Sequence, residues 1–442
     1  MATANTFLGG ASGRLLEASI PFRFFAAAVL FHLLAWLSLA WAGPDIIDFV
    51  GGLGWTLAGL HLLTLGVLVM TALGASLQLL PVATRQPVMS QRWPYELLWG
   101  LYVLGVMAVV AGMAFWLPTL LWLGALTVAL ALLLYLGLLA LNLRGAKGMP
   151  LVVVHGWAAA LSLLVLLASA LSLAGLYSGI ILIERTAAIG LHVSFAAYGF
   201  MGLLVMGFSY ILVPMFALAD NPAPAWSQLS LGLALFALLV AMLVLLGLVP
   251  PLLFRLAIGA GALAFLIHVA LMEQALRSGM RPHLGTSFVL VRVGWACLAA
   301  SFALALALDM EIGVRRAAVM FGILLIGGLL TLLLGVLSRI VPFLAAMHAG
   351  AGMRRPPTPS NRTAQRPLDI HLYCHSAALA LLLAGVSFDS VWLLRGGTLA
   401  GIAGAVAYGA FFLHTWRRMR QMLGQNAATL RHREAAGRGD PS

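Results

Sequence analysis

The chain has 442 residues, of which 62% are hydrophobic and only 9% are charged. Soluble domains carry about 25% charged residues, so this composition excludes an ordinary soluble globular fold. The formal net charge of +12 would suit a nucleic-acid partner if it were concentrated on one surface. Here the basic residues lie between apolar runs, so we expect no nucleic acid as a partner.

Apolar runs of membrane-spanning length recur from one end of the chain to the other. A helix of about 20 residues crosses a hydrocarbon core of about 30 Å, and continuous runs favour helices over a β-barrel. The sequence therefore predicts an all-α polytopic membrane protein, with residues 1–416 as a single domain and 417–442 as a basic tail. The twelve predicted spans are 22–43, 53–80, 97–116, 118–142, 151–175, 187–216, 227–248, 251–276, 288–308, 317–346, 370–393 and 396–416.

The basic residues also predict an orientation. With the N-terminus inside, most arginines fall on the inner side, whereas Arg185, Arg255, Arg315, Arg316 and Arg395 fall outside. The positive-inside rule then places both termini in the cytoplasm of a bacterial cell, with the chain in the inner membrane. Anionic lipid at the inner face is the expected neighbour.

A Gly/Pro pattern occurs three times, in the second, sixth and tenth spans. The residues are Gly66, Gly74 and Pro81, then Gly199, Gly207 and Pro214, then Gly327, Gly335 and Pro342. Successive prolines are 133 and 128 residues apart, which indicates three pseudo-equivalent four-helix units keyed on 53–81, 187–214 and 317–342. We expect the glycines to permit close helix packing and each proline to close its helix at the cytoplasmic interface.

Twelve helices in three such units resemble the catalytic subunit, subunit I, of haem-copper oxidases and nitric oxide reductases. The string Gly59-Leu60-His61-Leu62-Leu63-Thr64-Leu65-Gly66 is similar to helix 2 of that family, where a histidine near the outer side ligates a low-spin haem. The histidine helices that end in proline and the opening string Pro21-Phe22-Arg23-Phe24-Phe25 also resemble the NnrS family. That resemblance implies a haem- and copper-associated membrane protein of nitrogen-oxide metabolism.

The chain departs from the oxidases at their oxygen-reducing site. The oxidases carry adjacent copper-ligating histidines on helix 7, whereas span 227–248 has no histidine. Their helix 10 carries a His-x-His motif, but the tenth span here has no histidine before His348. The sequence therefore does not predict a complete terminal oxidase or nitric oxide reductase, and enzymatic activity is not expected from this pattern.

Histidines within the spans are the candidate ligands for haem or a metal, because a buried imidazole is costly unless it has a partner. His61 and His192 both lie about one-third of the way in from the outer face, on repeat-equivalent spans, and we expect them to bind a cofactor. They lie 20 and 22 residues before their prolines, so a simple helical projection does not align them. His32 reaches a similar depth and is a further candidate metal ligand. His371 and His375 share a helix face, but their place near the interface favours contact with headgroups or water.

These features together predict a haem- or metal-binding membrane protein in respiratory or nitrogen-oxide metabolism, with haem or copper as cofactor. Its expected partners are the lipid bilayer, other membrane subunits or an electron-carrier protein. Two alternatives remain open: a secondary transporter of a small solute or metal, since twelve helices is a usual transporter size, and a non-catalytic subunit of a membrane complex.

Overall fold

The computed structural model describes residues 14–281, 284–350 and 363–437. In these ranges twelve helices are long and apolar enough to cross a membrane, which confirms an all-helical polytopic architecture. The helices α1 to α12 are Ser19–Ala42, Trp55–Ala83, Trp93–Ala114, Pro118–Arg144, Pro150–Tyr177, Arg185–Ala217, Pro224–Leu245, Leu253–Ser278, Thr286–Asp309, Val314–Ala349, Gln365–Ser387 and Val391–Gly437.

Most helix bounds lie close to the predicted spans, but the last two helices differ. α11 ends at Ser387, because Asp389 adopts a left-handed backbone conformation with φ of 56° in the turn before α12. α12 then continues to Gly437, through most of the segment predicted as a tail. That segment has no proline before Pro441 and is rich in Arg and Ala, which favour a helix. Residues 438–442 of the predicted tail lie outside the described residues.

Contacts between helix termini define two ends of the bundle. At the first end, Arg92 Nη2 at the start of α3 donates to Ser19 Oγ at the start of α1. Lys147 N, just before α5, donates there to Thr84 O at the end of α2. At the second end, Gly54 N just before α2 donates to Met113 O near the end of α3. Odd-numbered helices therefore run from the first end to the second, and even-numbered helices return.

The first and last helices are direct neighbours. The ring of Phe22 on α1 packs edge-on against Trp416 on α12, with centroids 5.3 Å apart, and lies 6.3 Å from the ring of Phe412. α12 also pairs with α11 along its length. The packing of α12 against α1 therefore joins the two ends of the chain.

The three helices that contain the Gly/Pro pattern pack glycines against the helix that precedes each of them. A Cβ added to Gly66 would lie 2.7 Å from Phe31 Cβ on α1, and one added to Gly207 would lie 2.8 Å from His155 Cβ on α5. A Cβ on Gly335 would lie 2.7 Å from a backbone oxygen of α9. Small residues let helices approach this closely. The glycines therefore allow α2 to pack against α1, α6 against α5 and α10 against α9.

Two π-helical stretches among the described residues interrupt α2 at Leu62–Val69 and α6 at Ser194–Gly202. A π turn bonds residue i to i+5, so it takes up more residues than an α turn. Each stretch contains the first glycine of the pattern and lies before the second. Two glycines eight residues apart therefore lie on the same helix face in α2 and in α6. In a regular α-helix, two residues on the same face are about seven residues apart.

α10 is α-helical throughout, and its glycine contacts follow a spacing of seven. Gly328, seven residues before Gly335, packs against Cys297 and Leu298 on α9. Gly327, the glycine of the predicted pattern, instead packs against Leu379 on α11. Gly328 is thus the residue of α10 that makes the contact made by the first glycine in the other two helices.

The expectation that each proline closes its helix is wrong for α10. α2 ends at Ala83, just after Pro81, and α6 ends at Ala217, just after Pro214. α10 continues past Pro342 to Ala349. The residues beyond that proline are held by packing, because Leu344, Ala345 and Ala349 are fully buried.

Candidate functional site

His61 and His192 face each other between α2 and α6, near the second end of the bundle. Their ring centroids are 6.3 Å apart, and the ring planes differ by 28°. His61 lies immediately before one π-helical stretch, and His192 lies two residues before the start of the other. These stretches change the register between each histidine and its proline from that of a regular α-helix.

The hydrogen bonds of His61 fix the protonation of its ring. Nδ1 lies 3.0 Å from Leu57 O, and a carbonyl can only accept, so Nδ1 carries the proton and Nε2 keeps its lone pair. Metal-bound histidines are commonly oriented in this way by a backbone carbonyl. His192 Nδ1 is buried and has no hydrogen-bond partner among the described residues. One ring is thus oriented, and the other has a nitrogen without a partner.

The start of α6 sets the position of His192. The Glu184 carboxylate accepts hydrogen bonds from the backbone N–H groups of Ala187 and Thr186, which satisfies donors that a helix start leaves free. These bonds, that from Ala187 first, lower the pKa of Glu184. Arg185 contacts Tyr177 OH at 3.4 Å, and a Cβ on Gly51 would lie 2.6 Å from its Nη2. Arg185 therefore connects α6 with the loop that leads into α2.

His32 does not join His61 and His192. It lies on α1 against His371 and His375 of α11, with ring centroids 6.0 and 6.4 Å away. All three side chains are at most 1% exposed. The expectation that His371 and His375 contact headgroups or water is therefore wrong, because α1, α10 and α12 enclose this part of α11. We call these three residues the histidine triad.

A third group of histidines lies between α5, α6 and α8, towards the first end. His155 Nδ1 lies 2.8 Å from Leu151 O, so its proton is on Nδ1 by the same argument as for His61. His268 Nδ1 lies 3.2 Å from Tyr210 OH. Nε2 of each of these histidines is buried without a partner in the described ranges. The sequence shows these histidines in inner helix halves, but no spacing pattern indicates that they meet.

An apolar cavity of about 60 Å³ lies between α2, α6, α9 and α10. Its lining includes Met201, Phe208 and Trp295, with Thr71, Ser209 and Arg339 as the polar contributors. The Thr71 hydroxyl is buried with no partner in the part of the chain that the structure describes. The cavity therefore offers water few polar partners at the centre of the bundle.

The arrangement of these side chains limits the kind of metal site that the protein can form. Across residues 14–281, 284–350 and 363–437, no group of three or more His, Cys, Asp or Glu side chains is arranged to hold a metal ion. Imidazole rings contact each other at His61 and His192 and in the histidine triad, whereas His155 and His268 each contact Tyr210. A metal bound by two imidazoles at either of these contacts would complete its coordination with a cofactor or solvent.

The fold and these clusters define a multi-pass helical membrane protein with paired histidines inside its bundle. No protein-family model matches the chain, and no curated protein matches it significantly.

Proposed function

We propose that the chain binds a transition-metal centre, as a haem iron or a copper ion, between His61 and His192. The observation that carries this proposal is the 6.3 Å separation of the two ring centroids. An imidazole nitrogen lies about 2.0–2.1 Å from a metal, so two imidazoles on opposite sides of one metal have centroids roughly 6 Å apart. The pair therefore has the spacing that one shared metal requires.

The ring chemistry supports the same proposal. The Nδ1 proton of His61 is engaged by Leu57 O, which leaves the neutral ligand nitrogen that iron and copper bind. His192 has a buried nitrogen without a partner in the described residues. A buried polar atom in that state is costly, and ligation of either ring nitrogen would fix the ring.

Two features favour haem over a bare copper ion. Both histidines are only half-buried, so part of each residue remains accessible to a cofactor. Arg185 lies two turns before His192 on α6 and presents a cation at the second end, where it would hold an anionic arm of a cofactor. A haem with two histidine ligands supplies one-electron transfer, and this chain's residues would hold and orient it and exclude water.

The proposed setting is respiratory or nitrogen-oxide metabolism, with an electron-carrier protein or another membrane subunit as partner. It is supported by the resemblance of the helix 2 string around His61 to haem-copper oxidases and by the resemblance of the chain to the NnrS family. α7 has no histidine, and α10 has none before His348, so the ligands for oxygen reduction in those oxidases are missing. We therefore propose electron transfer or cofactor binding rather than oxygen reduction.

The test is an optical spectrum and a metal analysis of the protein purified in detergent after expression with haem and copper supplied. We expect a Soret band if the centre is haem, or otherwise one copper per chain more than the two alanine variants of this site contain. His61→Ala and His192→Ala should each remove the signal, whereas His414→Ala, a half-buried histidine on α12, should keep it. His61→Met should shift a haem spectrum rather than abolish it.

A colourless wild type that contains no metal under these conditions overturns the proposal and leaves transport or a non-catalytic role as the reading to test. A signal that survives in both alanine variants assigns the centre to other residues. Size-exclusion profiles of each variant separate loss of the ligand from loss of folding.

A further inference from the structure

The histidine triad is a second place where buried imidazole nitrogens are left without partners. His32 Nδ1, His371 Nε2 and His375 Nδ1 are each buried and make no hydrogen bond to any described residue. Folded proteins rarely leave so many buried polar atoms unsatisfied in one place. This concentration of free nitrogens makes the triad a candidate ligand site.

Hydrogen bonds on the far side of each ring determine which nitrogens carry lone pairs. His371 Nδ1 lies 2.9 Å from Gly404 O, so it donates and Nε2 is bare. Thr331 Oγ1 donates to Gly327 O, so at 2.8 Å His375 Nε2 must donate to Thr331 Oγ1, which leaves Nδ1 bare.

The unpartnered nitrogen of His32 carries a proton rather than a lone pair. The indole of Trp36 donates from Nε1 to His32 Nε2 at 3.1 Å, so the proton of the neutral His32 ring is on Nδ1. The triad thus has two lone-pair donors from α11 and one N–H group from α1. A ligand for this place must accept two lone pairs and also offer an atom that accepts a hydrogen bond.

The two lone-pair donors have the spacing of a metal-binding pair. His371 and His375 are four residues apart on one face of α11, the spacing of the two histidines in the zinc-binding HExxH helix motif. Their ring centroids are 5.2 Å apart, and two imidazole nitrogens about 2.1 Å from one metal at a tetrahedral angle place the centroids roughly 5 Å apart. Nitrogen ligands of this kind select Cu, Zn, Ni or Fe rather than Mg²⁺ or Ca²⁺.

We propose that His371 Nε2 and His375 Nδ1 bind one first-row transition-metal ion, copper or zinc, inside the bundle. An oxygen ligand on that ion, such as water, accepts the hydrogen bond from His32 Nδ1. Gly404 O and Thr331 act as positioning groups, because they hold the two ligand rings in the required protonation state. This site is separate from the proposed centre at His61 and His192 and uses none of its residues.

The experiment uses the full chain carrying His61→Ala and His192→Ala, so that the first centre does not contribute. Cu⁺ and Zn²⁺ are titrated separately against a competing chelator after removal of bound metal. We expect one ion per chain, and the metal that binds in competition identifies the class. His371→Ala and His375→Ala should each abolish this binding.

Thr331→Val is the decisive variant, because it keeps the shape of the side chain and removes the hydroxyl that accepts from His375. Groups that hydrogen-bond to a metal-ligating histidine contribute about 10–100-fold to metal affinity. We therefore expect Thr331→Val to lower the metal affinity by a factor in that range. Thr127→Val on α4 is the matched control, because the Thr127 hydroxyl donates to Leu123 O of its own helix and its side chain is only half-buried. It should leave the affinity unchanged.

The proposal is overturned if the double variant binds neither metal, a result that assigns the triad to a buried water or to proton exchange. It is also overturned if binding persists in His371→Ala and His375→Ala. Should either alanine variant fail to fold, Thr331→Val carries the test. Failure here leaves the His61 and His192 centre untouched, because that centre is measured in the single variants of the wild-type chain.

Discussion

The indole ring of Trp36 on α1 lies directly against Gly401 on α12. A Cβ added to Gly401 would overlap atoms Cδ2, Cε3 and Cε2 of that ring. Trp36 is 2% exposed and donates its Nε1 hydrogen to His32. Gly401 therefore makes room for the side chain that orients the first histidine of the triad.

Gly401→Ala should displace Trp36 and break its hydrogen bond to His32. Overpacking of a buried contact costs about 1–3 kcal/mol, so we expect a lower thermal-unfolding temperature in detergent and a shifted indole Nε1–H signal in NMR spectra. Gly409→Ala on the same helix is the control, because its Cβ would meet Val29 at an ordinary 3.6 Å. Equal behaviour of the two variants would contradict the packing described here.

Deletion of Ala196 should convert the π-helical stretch of α6 into a regular α-helix, because a π turn holds more residues than an α turn. Residues on either side of the deletion then keep their helix faces, so we expect both the fold and the signal of the His61 and His192 centre to survive. Deletion of Asn221 in the loop after α6 is the control and should also retain the signal. Loss of the signal in the Ala196 deletion alone would contradict this account of the helix register.

Gly207→Ala should destabilise the contact between α6 and α5, because the new Cβ would lie 2.8 Å from His155 Cβ. The neighbouring atoms belong to the base of a side chain and cannot swing away, so we expect a cost of about 1–3 kcal/mol in thermal unfolding. Gly137→Ala, whose Cβ would meet no described atom within 4 Å, should leave stability nearly unchanged. Comparable losses in both variants would count against the glycine contact.

The cap at the start of α6 should depend on pH. The folded-state pKa of Glu184 is lowered from its ordinary value of 4.5 by the backbone N–H donors. The contribution of the Glu184 cap to folding stability is therefore complete at pH values above 4.5 and is lost as the pH falls through the lowered folded-state pKa. Glu184→Gln should weaken the cap and lower the thermal-unfolding temperature at pH 7. In acid, the difference in unfolding temperature between this variant and the wild type should become smaller. A difference in thermal unfolding that does not change between pH 7 and pH 3 would exclude this role.

Much of the architecture follows from the sequence, because a run of apolar residues long enough to cross a bilayer has few alternatives to a helix. The positions of His61 and His192 within their predicted spans also place both histidines at the same depth in the bilayer. Their facing geometry depends on π-helical turns, which hydropathy does not encode. The histidine triad is harder to predict from the sequence. His32 and His371 are far apart in the chain, and they come together because α12 packs against α1 and also pairs with α11.

The same packing of first helix on last has a consequence for biosynthesis. His32 enters the membrane with the first hairpin, while His371, His375 and the helix that carries Gly404 follow more than 300 residues later along the chain. The triad can therefore be assembled only after α11 and α12 have been inserted, and a chain truncated before α11 lacks it altogether. Occupancy of that place would therefore report that α1 has packed against helices made much later in translation.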